Sequence, residues 1–214
     1  MQRLIAYDAE VYVSLIQRYN EDIWPAQVIA LAFGWLILMC ARRGGGLNGR
    51  IVYLILAGFW AYTGYEFLMT RFATLNWAAQ AFGILFLAQS ALIALWGTIL
   101  GKADIKLGMN RRSIEAVFLL LLAAALHPVA TLAAGLPLTA AQPFGLTPLT
   151  VVLVTLGVFR LTQSSPCWLL VWPLLWSVWE LANAWTLGIV ADTVTAAVAA
   201  LAVVYTVLAP RLAR

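Results

Sequence analysis

Glu66, His127, Glu180 and Asp192 each lie inside a different apolar stretch long enough to cross a bilayer. An ionisable side chain in hydrocarbon costs on the order of 2.5–3.5 kcal/mol or more, so each is a candidate for a functional role. At a rise of about 1.5 Å per residue, Glu66 lies about 22 Å, His127 about 21 Å and Glu180 about 20 Å from the same boundary. Asp192, counted down from the opposite boundary, falls at about 24 Å in a core of about 30 Å. Three carboxylates and one imidazole thus share one level. Burial and mutual repulsion favour the neutral carboxyl forms, and an imidazolium–carboxylate pair would relieve two of the groups together. Such a layer can hold and hand on protons, as proton-coupled transporters do. Tyr62, Tyr65 and Asn183 fall near it, and Trp176 and Trp179 share a helix face beside Glu180.

Other chemistries lack their residues. A retinal site needs a lysine in the last span, but the final lysine is Lys106, in a loop, and the single histidine excludes bis-histidine haem. No nucleophile elbow, His-Glu-x-x-His or Cys-x-x-Cys occurs. The four ionisable residues could ligate a metal chemically, yet their spacing carries no local signature. Cys40 and Cys167 are expected as two buried, reduced residues at the same membrane face. No catalytic residue, metal or cofactor is assigned.

The elements that must position this layer are legible in the composition. The 214 residues are 64% hydrophobic and 10% charged, against about 45–50% and about 25% in soluble domains. Seven stretches reach spanning length, near 23–41, 50–70, 77–100, 113–134, 147–163, 167–186 and 188–209, the fifth being the shortest. Strict alternation is absent, so the expected fold is an all-α polytopic membrane bundle and not a barrel. Seven spans place ten of the thirteen Lys and Arg residues on one side (Arg42 to Arg50, Lys102 to Arg112, Arg160, Arg211, Arg214) and Arg3, Arg18 and Arg71 on the other. The positive-inside rule then puts the N-terminus outside and the C-terminus, with a tail at 210–214, in the cytoplasm. A bacterial inner-membrane protein is expected. The charge of +4 marks topology, and no basic groove for nucleic acid accompanies it.

Residues 1–22 carry Asp8, Glu10, Glu21 and Asp22 and lack a signal-peptide pattern. Within them, 8–20 predicts a short interfacial helix capped by Asp8, with Tyr7, Val11, Tyr12, Leu15 and Tyr19 on its apolar side. The glycine-rich loop at 43–50 lacks a P-loop's Lys-Ser/Thr and suits a basic turn beside lipid phosphates. The uncharged 135–146 segment, with Pro137, Gln142 and Pro143, predicts a re-entrant or capping loop. Trp168, Trp172, Trp176 and Trp179 form a stripe that either packs a neighbour or walls a cleft.

A resemblance runs through most of the chain. Tyr19-Asn20-x-x-Ile23-Trp24-Pro25-Ala26-Gln27 is followed by Gly64-Tyr65-Glu66, Phe72, Asn76, Phe82-Gly83 and Gln89. Then come Phe144-Gly145-x-Thr147-Pro148, Pro173-Leu174-Leu175-Trp176-Ser177 and Leu187-Gly188-x-x-x-Asp192. In this order they resemble an uncharacterised family of roughly 200-residue bacterial membrane proteins, some loosely labelled permeases. The resemblance implies histidines at the positions of Glu66 and Leu136 and a Cys-Pro at Leu149-Thr150. A metal or redox site built from those residues would be missing here. The expected function is a small permease with an outward-facing polar cavity. The alternative is a non-catalytic subunit packing laterally in a larger membrane complex. Lipids, other membrane subunits or a second copy are the expected partners.

Overall fold

The computed structural model describes residues 7–163 and 166–212. Arg3, Arg214 and the side chain of Arg211, counted in the charge partition, lie outside the described residues. The described residues are all-helical, with no strand beyond two isolated backbone bridges. The helices are α1 (Ala9–Asp22), α2 (Ala26–Arg43), α3 (Gly46–Tyr62), α4 (Ala79–Ile93), α5 (Arg111–Leu121), α6 (His127–Ala133), α7 (Pro148–Leu161), α8 (Val171–Leu187) and α9 (Val190–Leu212). Three π-helical stretches, Thr63–Arg71, Ala94–Ile99 and Leu122–Leu126, extend α3 and α4 and join α5 to α6.

Five of the helical segments are long and apolar enough to cross a membrane: Ala26–Arg43, Gly46–Thr74, Ala79–Ile99, Arg111–Ala133 and Val190–Leu208. Their outward faces expose Val28, Ile29, Trp35, Leu54, Ile84, Ile114, Val129, Val194 and Leu201. Apolar faces on this scale mark contact with lipid or another protein, and the architecture is that expected of an integral membrane protein.

α7 is the axis of the bundle. All fourteen of its residues are buried, with α3, α5, α8 and α9 packed around it. Its start is written locally. Pro148 occupies the first turn, where a missing N–H costs nothing, and Thr147 and Thr150 form a capping box. The preceding loop, 141–147, is buried throughout, and Thr150 Oγ1 donates to the Pro143 carbonyl at 2.7 Å. Irregular backbone at this depth is tolerated because protein surrounds it. Gly157 meets the Leu120 side chain and the Ala116 carbonyl of α5, so the two helices approach where no side chain intervenes. Gly188, at φ +72°, ends α8 in the left-handed region, and Ile189 N–H returns to the Ala184 carbonyl at 3.0 Å. The tight turn into α9 follows.

The end of the bundle opposite α1 is closed by the 101–110 loop. Ile105 is fully buried and bridges Gly45 and Thr162. Lys106 N–H bonds the Leu161 carbonyl, and Leu107 N–H bonds that of Ala41.

Candidate functional site

The site begins with α1, which lies across one end of the bundle. Asp8 caps it, its Oδ1 accepting from Val11 N–H at 2.9 Å. Tyr12, Ile16 and Tyr19 recur at helical spacing and are buried, whereas Glu10, Ser14 and Arg18 are exposed. α1 therefore lays a tyrosine-bearing face on the helices beneath it.

Under that face lies a buried polar network. His127 opens α6 directly after the π-helical stretch Leu122–Leu126 and is completely buried. Its Nε2 is 2.7 Å from Asp192 Oδ1. Gln142, on the buried loop before α7, donates through Nε2 to Asp192 Oδ2 at 2.7 Å. Asp192 also stands in the first turn of α9, where the helix dipole favours negative charge. Glu180 of α8 is 2% exposed. It accepts from the Tyr12 hydroxyl at 3.5 Å and interacts with Gln142, Trp176 and Asp192. One turn on, Asn183 Oδ1 accepts from the Tyr7 hydroxyl at 2.8 Å. Burial pushes the Tyr12 phenol well above its ordinary pKa, and the Glu180 and Asp192 carboxylates push it further. Tyr7 is raised by burial and by Glu180, against a lowering from its bond to Asn183. Both phenols therefore remain neutral donors over acids.

The network is partly unsatisfied. His127 Nδ1, Trp176 Nε1 and Asn183 Nδ2 are buried without a hydrogen-bond partner among the described residues. Each such group carries a desolvation cost and marks a place where a polar ligand or a proton shift would be stabilised. Among the described residues no three His, Cys, Asp or Glu side chains gather into a metal-binding group.

Of the residues singled out in the sequence, the structure brings together His127, Glu180, Asp192, Asn183 and Trp176. Glu66 lies apart, accepting from Arg71 Nη2 at 3.0 Å and Nε at 3.3 Å, while Arg71 also binds Asp22 at the end of α1. Tyr62 accompanies Glu66 and Tyr19, and Tyr65 points outward, 62% exposed. A helix count gives depth but not direction, and these three face another side. Trp176 and Trp179 pack edge-on against Phe82, and Phe86 and Phe72 complete the cluster. This face packs against neighbouring aromatic side chains. Trp168 is exposed, and so is Cys167, against the expectation of two buried cysteines; Cys40 is buried. Cys167 opens the short turn before α8, ahead of the helix-packed part of that segment.

Three members of the network were not legible as such. Gln142 stood in a loop expected to be re-entrant or to cap the bundle, and Tyr7 and Tyr12 on a helix expected at an interface. The available signals were a lone amide in an uncharged loop and tyrosines on the apolar face.

At the other end, Arg160 of α7 pairs with Glu115 and lies over the Tyr205 ring, 5.2 Å from its centroid. Between the two ends, α7 presents the buried Val151, Val152, Leu153, Val154 and Leu156. The polar network thus lies beneath α1, and apolar residues of α7 separate it from the far end.

No curated protein and no solved structure matches the chain. The model of the Family of unknown function (DUF6064) matches residues 9–214, and the chain belongs to that family.

Proposed function

We propose that this chain is a seven-span, permease-like protein of the bacterial inner membrane, with its N-terminus outside and its polar network an outward-facing site occluded by α1. Seven crossings are supported by α7 and α8 in addition to the five long segments. α7 alone is about 21 Å long, short for lipid, but it is enclosed by other helices and preceded by the buried 141–147 loop. α8 gains length from the turn Cys167–Leu170 before it. The 10-to-3 charge partition supports the orientation.

The observation that carries the functional reading is the joining of four helices and one loop at Glu180, Asp192, His127, Gln142 and Tyr12. Two carboxylates that share a buried amide and lie beside an imidazole change their mutual repulsion when one proton arrives. α1 bonds to this set directly through Tyr12, so protonation of Glu180 alters the hold on the lid. Substrate would bind beside Glu180, where Asn183 Nδ2 has no partner among the described residues.

The test uses proteoliposomes holding a pH-sensitive dye, exposed to an inward proton gradient and pools of amino acids, sugars, organic anions or amines. Wild-type protein should take up protons with at least one pool, and Glu180→Gln should not. No uptake with any pool, or uptake unchanged by the substitution, would remove the proposal.

A further inference from the structure

A cavity of about 660 Å³ lies on the flank of the bundle, between α2 and the junction of α5 and α6. Its volume is within the roughly 300–1,000 Å³ of ligand sites. Trp24, Gln27 and Leu31 of the α2 side form one wall, and Ala124 and Pro128 form the other. Phe144 and Pro143 close the back, while Asn20 and Glu21 stand at the α1 end. The roof is fixed: Asn20 Nδ2 donates to the Thr139 and Ala141 carbonyls at 2.7 and 2.8 Å. Gln27 Nε2 in turn donates to the Asn20 carbonyl at 2.6 Å.

The polar groups facing this cavity are unbalanced. Gln27 lines the cavity, and its Oε1 has no donor among the described residues. Glu21 is exposed at the rim, and its carboxylate enters no ion pair among the described residues. No Lys or Arg lines the space. The wanting partner is a hydrogen-bond donor carrying positive charge, and below it the walls are apolar and flanked by the exposed Val28, Ile29, Leu126 and Val129. Trp24 is 68% exposed, and tryptophan is enriched where head group meets hydrocarbon.

We propose that this groove binds an aminophospholipid, a phosphatidylethanolamine, with its ammonium at Glu21 and Gln27 and one acyl chain between Leu31 and Ala124. Charge complementarity selects a head group that carries an ammonium over an anionic lipid, which has only negative charge to set beside Glu21. The site also touches the polar network without depending on the transport reading. Gln142 lines the groove and binds Asp192, and Pro128 adjoins His127.

The test is quenching of Trp24 in nanodiscs of phosphatidylcholine containing one-tenth dibrominated phosphatidylethanolamine, phosphatidylglycerol or phosphatidylcholine. The Trp24 signal is the difference between wild type and Trp24→Phe. Brominated phosphatidylethanolamine should quench it at least twofold more than either other lipid. Glu21→Gln, an exposed change compatible with folding, should abolish that preference, and Ala124→Trp should reduce quenching by filling the groove. Equal quenching by all three lipids would overturn the proposal as bulk lipid contact. Absence of quenching, with cross-linking of Leu31→Cys to a second chain or another protein, would overturn it in favour of a protein occupant.

Discussion

Asp192 is held by an imidazole, an amide and a helix N-terminus, and each contact predicts a different loss. His127→Ala leaves the buried acid with Gln142 and the helix N-terminus, and breaking a buried pair costs about 3–5 kcal/mol. The expected result is a clear fall in the thermal midpoint of the detergent-solubilised protein. Replacing both partners, His127→Leu with Asp192→Leu, removes the uncompensated group and should recover most of that loss, because apolar replacement of a buried pair is often neutral. A double variant no more stable than His127→Ala would show that the pair is not what holds the network. His127 and Asp192 could be placed at one depth from the sequence because both stand in long apolar runs with clear ends. Glu66 stands at a similar count, but Arg71 follows it by five residues, and the π-helical stretch Thr63–Arg71 lets the two meet. Nothing in a helical depth count distinguishes those directions.

At the scale of elements, α1, the proposed lid, is the part whose position should respond to protonation. Tyr7 and Tyr12 are neutral where α1 is closed, and burial raises both phenols above the ordinary tyrosine value. When α1 is released they would ionise near their usual pKa of about 10. Above that pH the released state binds fewer protons, so rising alkalinity favours release, and below it these two phenols contribute no pH dependence of their own. Spin labels at Glu10→Cys and Thr186→Cys, in a protein with Cys40 and Cys167 changed to serine, should report a longer distance as pH climbs past about 10. The transition should vanish with Tyr7→Phe and Tyr12→Phe together. Asp8 and the apolar spacing after it made α1 legible as a helix. Its task was not, because the contacts of Tyr7 and Tyr12 reach more than 160 residues along the chain.

For the whole molecule, five long segments follow from hydropathy alone, while α7 reads as the weakest span. The reason is physical: a helix enclosed on every side need not match the thickness of the lipid. Gly157→Leu should test that enclosure, since an added side chain would strike Leu120 and the backbone of α5, costing about 1–3 kcal/mol as overpacking and lowering the thermal midpoint. The proposed orientation has its own check. In the same cysteine-free background, Glu10→Cys should react with a membrane-impermeant maleimide on intact spheroplasts, and Lys106→Cys only after lysis. The reverse pattern would invert the topology.

The enclosure of α7 also dictates an order of assembly. α3 and α5 precede it in the chain and α8 and α9 follow, so the earlier helices must wait with a vacant slot until residues 148–161 arrive. The 101–110 loop waits with them, because its Lys106 N–H bonds a carbonyl of α7 itself. A nascent chain halted before Pro148 should therefore present this loop to protease, and the same loop should become resistant once α7 has been inserted.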